Sequence, residues 1–182
     1  MKTAILKTNV QQPGSVLRII ITGGTFDKHY DPLRGELGFA NTHLPEILRF
    51  SRCSLPVTLQ KLQLKDSLHM TSSDRKKILS ACSTCSETHI IITHGTDTMT
   101  ETARVIGEAE LSKRIVLTGA MIPYSVIGSD AVFNLGCSIT AVQLCEPGTY
   151  ICMNGRLFPY DQVQKNSMIG TFEALDLNPT NM

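Results

Sequence analysis

The sequence has no tryptophan, few aromatic residues and almost no net charge. Aromatic residues make up 5% of the 182 positions, and 17 lysines and arginines nearly balance 16 aspartates and glutamates, for a net charge of +1. Surfaces that bind nucleic acid usually combine clustered positive charge with aromatic side chains that stack on bases, and anionic membranes attract basic segments. We therefore expect neither nucleic acid nor a membrane as a partner.

Long hydrophobic runs are also missing. No stretch approaches the roughly 20 apolar residues that a membrane span requires, and residues 1–14 lack the apolar centre of a signal peptide. A chain of 182 residues is long enough to bury a substantial core as one unit. We expect a single catalytic domain over residues 1–182, with residues 1–16 as a loose lead-in.

The cysteine spacing does not indicate a metal site. Cys82 and Cys85 form one Cys-x-x-Cys pair among the six cysteines, but no second pair lies at the spacing of a zinc site. Most of the other cysteines lie in apolar helix or strand contexts, where a reduced cysteine behaves as a small hydrophobic residue. We expect inert, reduced thiols, no metal ion and a cytoplasmic location.

Two apolar segments end in glycine followed by threonine. Residues 17–22 are rich in β-branched side chains and predict a strand buried on both faces, which ends at Gly23 and Gly24 before Thr25. Residues 89–93 repeat the pattern before Gly95, Thr96 and Asp97. A single Gly-Gly turn more often serves only as a turn. Two such strand ends in one small chain indicate one site built from both.

Three further strands are predicted, at residues 57–64, 114–120 and 149–153, and they alternate with helices at residues 43–51, 71–82, 98–106 and 129–145. This alternation predicts a three-layer α/β fold: a mostly parallel open sheet, helices on both faces, and the flavodoxin-like strand order 2-1-3-4-5. Strands one and three are then neighbours. Thr25 and Thr96 would face each other, with Ser67 approaching from the flank.

Two regions have no clear period. Residues 26–42 predict a long loop, of the kind that often forms a lid or a binding loop, and Tyr30 lies on it. Tyr30 either reaches back over the strand end or is a surface residue, and the residues alone leave both open. Residues 159–182 show weak periodicity and contain one lysine, Lys165, in a polar setting.

Two threonines, a carboxylate, a tyrosine and a lysine at helix N-termini suit acyl transfer by a hydroxyl nucleophile. Threonine needs a neighbouring base, such as a lysine or tyrosine, and N–H groups beside Thr96 would stabilise an oxyanion. A substrate with a carboxylate and an amine fits Ser67 and Asp97. Which hydroxyl attacks stays open. A dinucleotide site at Gly23-Gly24 is disfavoured because the third glycine of that fingerprint is absent.

Four segments carry a resemblance to a known family. They are Thr22-Gly23-Gly24-Thr25-Phe26, His94-Gly95-Thr96-Asp97-Thr98-Met99-Thr100-Glu101-Thr102-Ala103, Gly119-Ala120-Met121-Ile122-Pro123 and Asp130-Ala131-Val132-Phe133-Asn134-Leu135. Together they resemble the signature segments of the bacterial-type L-asparaginase/glutaminase family, and the similarity runs from about Leu17 to Phe172. The paired first and second segments, in this order, make the resemblance specific.

The resemblance implies hydrolysis of L-asparagine to L-aspartate and ammonia through an acyl-enzyme, without a metal or cofactor. Thr25 would be the nucleophile and Tyr30 its activating neighbour. Thr96, Asp97 and Lys165 would form the second catalytic group.

The same resemblance assigns the substrate-binding residues. Ser67 would hold the substrate carboxylate, and Ala120 would offer its backbone to the side-chain amide. Three further positions complete the expected binding set: Gly24, Asp66 and Gly95.

Two features depart from the family pattern. Full-length members carry a second, C-terminal domain that lends residues to a neighbouring subunit's site, whereas this sequence ends at Met182. Leu68 replaces the polar residue that members tend to carry after the serine. The sequence is similar to short, one-domain asparaginases, so we expect an active asparaginase that forms a homo-oligomer. A preference for glutamine, or a sensor that binds asparagine or aspartate with negligible turnover, is the alternative.

Overall fold

The computed structural model describes residues 17–175, so the predicted lead-in at residues 1–16 lies outside the described residues. The elements are β1 (Leu17–Gly23), β2 (Lys28–Asp31), β3 (Glu36–Phe39), α1 (Leu44–Phe50), β4 (Val57–Lys65), α2 (Ser72–Thr84), β5 (His89–Thr93), α3 (Met99–Gly107), β6 (Arg114–Thr118), α4 (Ala131–Leu144), β7 (Gly148–Met153), β8 (Arg156–Pro159), β9 (Val163–Asn166) and β10 (Thr171–Ala174). Short 3₁₀ turns cover Thr25–Asp27 and Ser67–His69.

The central sheet has the order β4-β1-β5-β6-β7-β8. Its first five strands are parallel, which confirms the predicted order 2-1-3-4-5. β8 is an added antiparallel edge strand. It follows Asn154 and Gly155, whose φ angles of 55° and 75° suit the two-residue turn that joins tightly paired strands.

Helices cover both faces of this sheet, as predicted. Successive strand side chains point to opposite faces. Ile20 and Ile92 therefore share a core with α2 and α3, whereas Ile19 and Ile91 share one with α1 and α4. All four isoleucines are fully buried. The long runs of β-branched residues thus form strands that are covered on both sides.

The predicted loop at residues 26–42 is largely a β-hairpin, which corrects the sequence interpretation. β2 and β3 pair antiparallel, and the buried carboxylate of Asp27 ties the ends of the segment together. Asp27 Oδ1 accepts hydrogen bonds from Thr42 Oγ1 at 2.9 Å and from the His43 backbone N–H at 3.1 Å. Burial raises the pKa of Asp27 despite these bonds. The hairpin strands contain only four residues each, too few to give a period.

A second hairpin lies in the segment that has weak periodicity. β9 and β10 pair antiparallel and form a two-stranded sheet of their own. Val163 and Phe172 are buried in the core that also contains α2 and α3. Lys165 is directly opposite Phe172 in this hairpin. The position of Lys165 is therefore set by a packed element.

The N-termini of α2 and α4 are held by different side chains. Thr71 and Asp74 form a reciprocal capping box at the start of α2. At α4, Ser129 Oγ accepts from the Ala131 N–H at 3.1 Å, but Asp130 makes no capping bond. Its carboxylate instead accepts from backbone N–H groups in the loop after β6, at Met121 and Ile122. The carboxylate of Asp130 therefore holds the loop after β6 and does not cap the backbone N–H groups of α4.

All six cysteines are free thiols. Burial raises the pKa of Cys82 to about 12, which keeps this thiol protonated. Among residues 17–175, no helix combines the length and apolar character needed to cross a bilayer.

Candidate active site

Glycines allow the carboxyl ends of the parallel strands to approach closely. A Cβ on Gly23 would lie 2.8 Å from the Lys65 carbonyl oxygen, and one on Gly24 would overlap the backbone of Gly95. Both glycines have positive φ angles, of 97° and 80°, which L side chains rarely adopt. The end of β1 is therefore packed between the ends of β4 and β5.

The same packing continues on both sides of β5. A Cβ on Gly95 would lie 2.6 Å from Ser67 Oγ, and one on Gly119 would lie 3.3 Å from the Thr96 side chain. Four strand-to-helix connections thus meet at one edge of the sheet. The predicted strand ends therefore lie side by side at this edge.

Lys165 reaches from the β9–β10 hairpin to this edge. Its Nζ donates to Thr96 Oγ1 at 2.9 Å and to Asp97 Oδ1 at 2.6 Å. The lysine side chain is only 14% exposed, whereas that of Asp97 is 45% exposed. The arrangement gives a threonine hydroxyl, an amine and a carboxylate in direct contact at the N-terminus of α3.

Ser67 begins the 3₁₀ turn that follows β4. Its Oγ is buried without a hydrogen-bond partner within residues 17–175, although its carbonyl accepts from Thr98 Oγ1 at 2.9 Å. Asp66 holds the turn, because one of its carboxylate oxygens accepts from the Leu68 N–H at 3.1 Å. An unpaired buried hydroxyl beside Gly95 is free to bind a polar ligand atom.

Lys28 supports this turn from the first hairpin, a contact that the sequence did not indicate. Its Nζ lies 2.7 Å from Asp66 Oδ2. Burial alone would raise the pKa of Asp66, but hydrogen bonds from Lys28 and Leu68, together with the lysine charge, outweigh burial and lower it. Asp66 is therefore held as a carboxylate.

Thr25 and Tyr30 follow the end of β1. Thr25 opens a 3₁₀ turn directly after Gly24 and is partly exposed. Tyr30 lies on β2 opposite Leu37. Its side chain is 61% exposed, and the contacts described for residues 17–175 include no hydrogen bond from its hydroxyl. The structure thus brings Thr96, Asp97 and Lys165 into contact, whereas Tyr30 makes no described hydrogen bond to any of them.

Ala120 is buried in the connection after β6. The preceding carbonyl, of Gly119, accepts from Asn134 Nδ2 at 3.1 Å. Within residues 17–175, no group of three or more histidine, cysteine or acidic side chains is arranged to hold a metal ion.

His94 directly precedes the Gly95-Thr96-Asp97 segment, and the sequence did not reveal its contacts. It is fully buried, Nδ1 lies 2.7 Å from the Gly95 carbonyl oxygen, and Nε2 lies 2.8 Å from Thr102 Oγ1. Nδ1 therefore carries the proton and Nε2 accepts one from the hydroxyl. Burial lowers the pKa of His94 to about 4. A histidine directly before the Gly-Thr-Asp segment was the available signal.

Comparisons with known proteins place this geometry in a family. Residues 16–180 match the family model described as Asparaginase, N-terminal. The chain belongs to the asparaginase family. L-asparaginase 2 of Escherichia coli (strain K12) is 30% identical over 129 residues, which cover 68% of this chain and 36% of that protein.

Solved asparaginase structures share the fold. The thermostable L-asparaginase from Thermococcus kodakarensis aligns with a TM-score of 0.78 and 24% identity, over 90% of this chain and 52% of the other. A probable cytoplasmic L-asparaginase from Campylobacter jejuni aligns with a TM-score of 0.77 and 24% identity, over 90% and 54% of the two chains. The asparaginase-family chain thus spans about half the length of each solved relative.

Proposed function

We propose that this protein hydrolyses the side-chain amide of L-asparagine to L-aspartate and ammonia through a threonine ester. The contact of Lys165 with Thr96 and Asp97 carries the proposal, because it places a lysine amine against a threonine hydroxyl at a helix N-terminus. Membership of the asparaginase family supports the same reaction.

In the proposed first half-reaction, Thr25 Oγ forms a bond to the amide carbon of asparagine. Its proton passes through the hydroxyl of Tyr30 to the leaving nitrogen, so that the carbon–nitrogen bond breaks and ammonia departs. Tyr30 is exposed on β2, and this step therefore requires the β2–β3 hairpin to close over the site, as mobile active-site elements commonly do.

In the second half-reaction, water hydrolyses the ester. Lys165 takes a proton from this water through Thr96 Oγ1 as the water oxygen bonds to the ester carbon, and it then passes a proton to Thr25 Oγ, so that the bond to Thr25 breaks and aspartate leaves. Asp97 orients the lysine through their 2.6 Å contact. Backbone N–H groups at Thr96 and the backbone of Ala120 stabilise the negative charge that develops on the carbonyl oxygen.

The proposed binding mode uses both ends of the amino acid. The unpaired hydroxyl of Ser67, with its turn held by Asp66, receives the α-carboxylate. Asp97 is exposed enough to face the α-ammonium group. Gly24 and Gly95 let the strand ends pack backbone to backbone, which brings the segments of Thr25, Thr96 and Ser67 close enough to share one ligand.

The test measures ammonia and aspartate released from L-asparagine, with L-glutamine as the competing substrate. Thr25→Ala and Lys165→Met should each lower kcat by about a thousandfold. Matched controls are Thr84→Ala, at an exposed hydroxyl near the end of α2, and Lys77→Met, at an exposed lysine of the same helix. Both controls should keep the rate of the unmodified protein.

Three outcomes would contradict the proposal. Unchanged rates in Thr25→Ala and Lys165→Met would remove the mechanism. A higher kcat/KM for glutamine would change the substrate. Calorimetric binding of asparagine without product after long incubation would identify a sensor instead of an enzyme.

A further inference from the structure

The hairpin that carries Lys165 is not part of the central sheet. β9 and β10 are hydrogen-bonded to each other and form a separate two-stranded sheet. The buried side chains of Val163 and Phe172 hold the hairpin against the core. Apolar contacts of this kind are not directional, so they do not by themselves fix the hairpin to within a fraction of an ångström.

One hydrogen bond to the hairpin backbone is directional and can fix its position. Asn154, in the turn between β7 and β8, accepts a hydrogen bond from the Phe172 backbone N–H to its Oδ1 at 2.9 Å. Among the hydrogen bonds of residues 17–175, this one joins the strand backbone of the hairpin to the turns of the central sheet. Phe172 is the residue directly opposite Lys165. Asn154 thus anchors the hairpin at the level of the lysine.

Asn154 is itself hydrogen-bonded to residues that lead back to the candidate site. The Asn154 N–H donates to Oδ1 of the buried Asn134 at 3.2 Å. Nδ2 of Asn134 donates to the Gly119 carbonyl at 3.1 Å and to Asp130 Oδ2 at 2.8 Å. A continuous series of hydrogen bonds therefore runs from the end of β6, through α4, to the backbone opposite Lys165.

We propose that Asn154 is a positioning residue for Lys165. It fixes the position of the β9–β10 hairpin relative to the central sheet, so that the Lys165 amine contacts Thr96 and Asp97. The inference rests on the proposed hydrolase function. Asn154 acts through Phe172 and does not touch the lysine. Its φ of 55° leaves few residue types that satisfy both requirements of the site, a left-handed backbone and a side-chain acceptor.

This pair of requirements gives a matched pair of variants. Asn154→Gly keeps the left-handed backbone and deletes the acceptor, whereas Asn154→Asp keeps both. Gln164→Ala is the control, because it removes an exposed hydrogen bond to Glu173 that stays within the hairpin. Circular dichroism and thermal unfolding verify that each variant is folded.

Two readouts follow the lysine. The first is kcat and KM for asparagine: Asn154→Gly should lower kcat about tenfold, because small misplacements of a reacting group are costly, and should leave KM within about twofold. The second needs no turnover: trace acetylation, mapped by mass spectrometry, reports the reactivity of the Lys165 amine relative to Lys77. Asn154→Gly should raise that ratio severalfold, and Asn154→Asp and Gln164→Ala should leave it unchanged.

The outcomes separate this inference from the proposed function. If Asn154→Gly leaves both kcat and the reactivity of Lys165 unchanged, the positioning role is overturned. Equal losses of kcat in Asn154→Gly and Asn154→Asp would overturn it as well. If Lys165→Met keeps full ammonia release, the proposed function fails, but the acetylation ratio still decides whether Asn154 positions the amine.

Discussion

Gly24 and Gly95 lie backbone against backbone at the carboxyl ends of β1 and β5. A Cβ on Gly24 would overlap the nitrogen and Cα of Gly95. Because Thr25 and Thr96 directly follow these glycines, the contact limits how far apart the two hydroxyl-bearing segments can lie.

Gly24→Ala should destabilise the protein and abolish activity. The new methyl group meets backbone atoms, and overpacking added to a positive φ predicts a loss of about 3 kcal/mol in the free energy of unfolding. Gly128 is the control, since its φ of 86° is similar but a Cβ there meets open space. Gly128→Ala should cost about 1 kcal/mol and retain activity. Urea unfolding of both variants checks this, and equal losses would contradict the contact.

Ser67→Ala should weaken substrate binding without weakening the fold. Ser67 is 1% exposed and its hydroxyl has no hydrogen-bond partner within residues 17–175, so removing the hydroxyl should leave the free energy of unfolding unchanged or raise it by up to about 1 kcal/mol. KM for asparagine should rise about tenfold. Ser138, equally buried, donates to the Asn134 carbonyl at 2.7 Å. Ser138→Ala should lower stability by about 1 kcal/mol and leave KM unchanged; the reverse pattern would contradict the role of Ser67.

His94 should make the protein less stable in mild acid. The pKa of its buried ring is about 4, below the unfolded value of 6.5, so the unfolded chain binds the proton between these two pH values. The stabilising contribution is complete above pH 6.5 and declines as the pH falls towards 4. Between pH 7.5 and pH 5 the loss amounts to about 2 kcal/mol.

Urea unfolding at pH 7.5 and pH 5 measures this loss. Glutamine does not titrate, so between pH 7.5 and pH 5 the free energy of unfolding of His94→Gln should fall by about 2 kcal/mol less than that of the unmodified protein. His69→Gln, at an exposed site, should behave as the unmodified protein does. A decline in His94→Gln as large as that of the unmodified protein would rule out His94 as its source.

Tyr30→Phe should separate catalysis from stability. The side chain is exposed on β2, so removing its hydroxyl should change the free energy of unfolding by less than about 0.5 kcal/mol. If the hairpin closes as proposed, kcat should fall by at least about tenfold. Tyr160→Phe is the control, because Tyr160 packs against Gly107 at the end of α3 away from the site. Equal kcat values in the two variants would exclude Tyr30 from the reaction.

The sequence predicted the parts of the fold where local pattern and tertiary structure agree. Runs such as residues 19–21 and 90–92 form buried parallel strands, and the glycines after them mark the site edge. β2, β3, β9 and β10 contain four residues each, too few for a period. The Asn154-Gly155 turn did carry a recognisable hairpin signal for β8.

The site was predictable only in part, because several of its contacts join residues that are far apart in the sequence. Thr96 and Asp97 stand at a strand end, where position alone suggests chemistry. Lys165 lies 69 residues beyond Thr96, and only the family resemblance linked the two. The roles of Lys28, Asp130 and His94 depend on which acceptor or donor lies near each side chain in the folded chain, and a local pattern holds no such information.

The separate β9–β10 sheet has a consequence for synthesis of the protein. The five parallel strands are complete at Met153, whereas Lys165 and the strand that pairs with it come later in the chain. A nascent chain can therefore pair all the parallel strands while the amine that contacts Thr96 is still inside the ribosome. Under the proposed mechanism, the site is complete only once the β9–β10 hairpin docks, which makes the parallel sheet a scaffold that can form before its catalytic amine arrives.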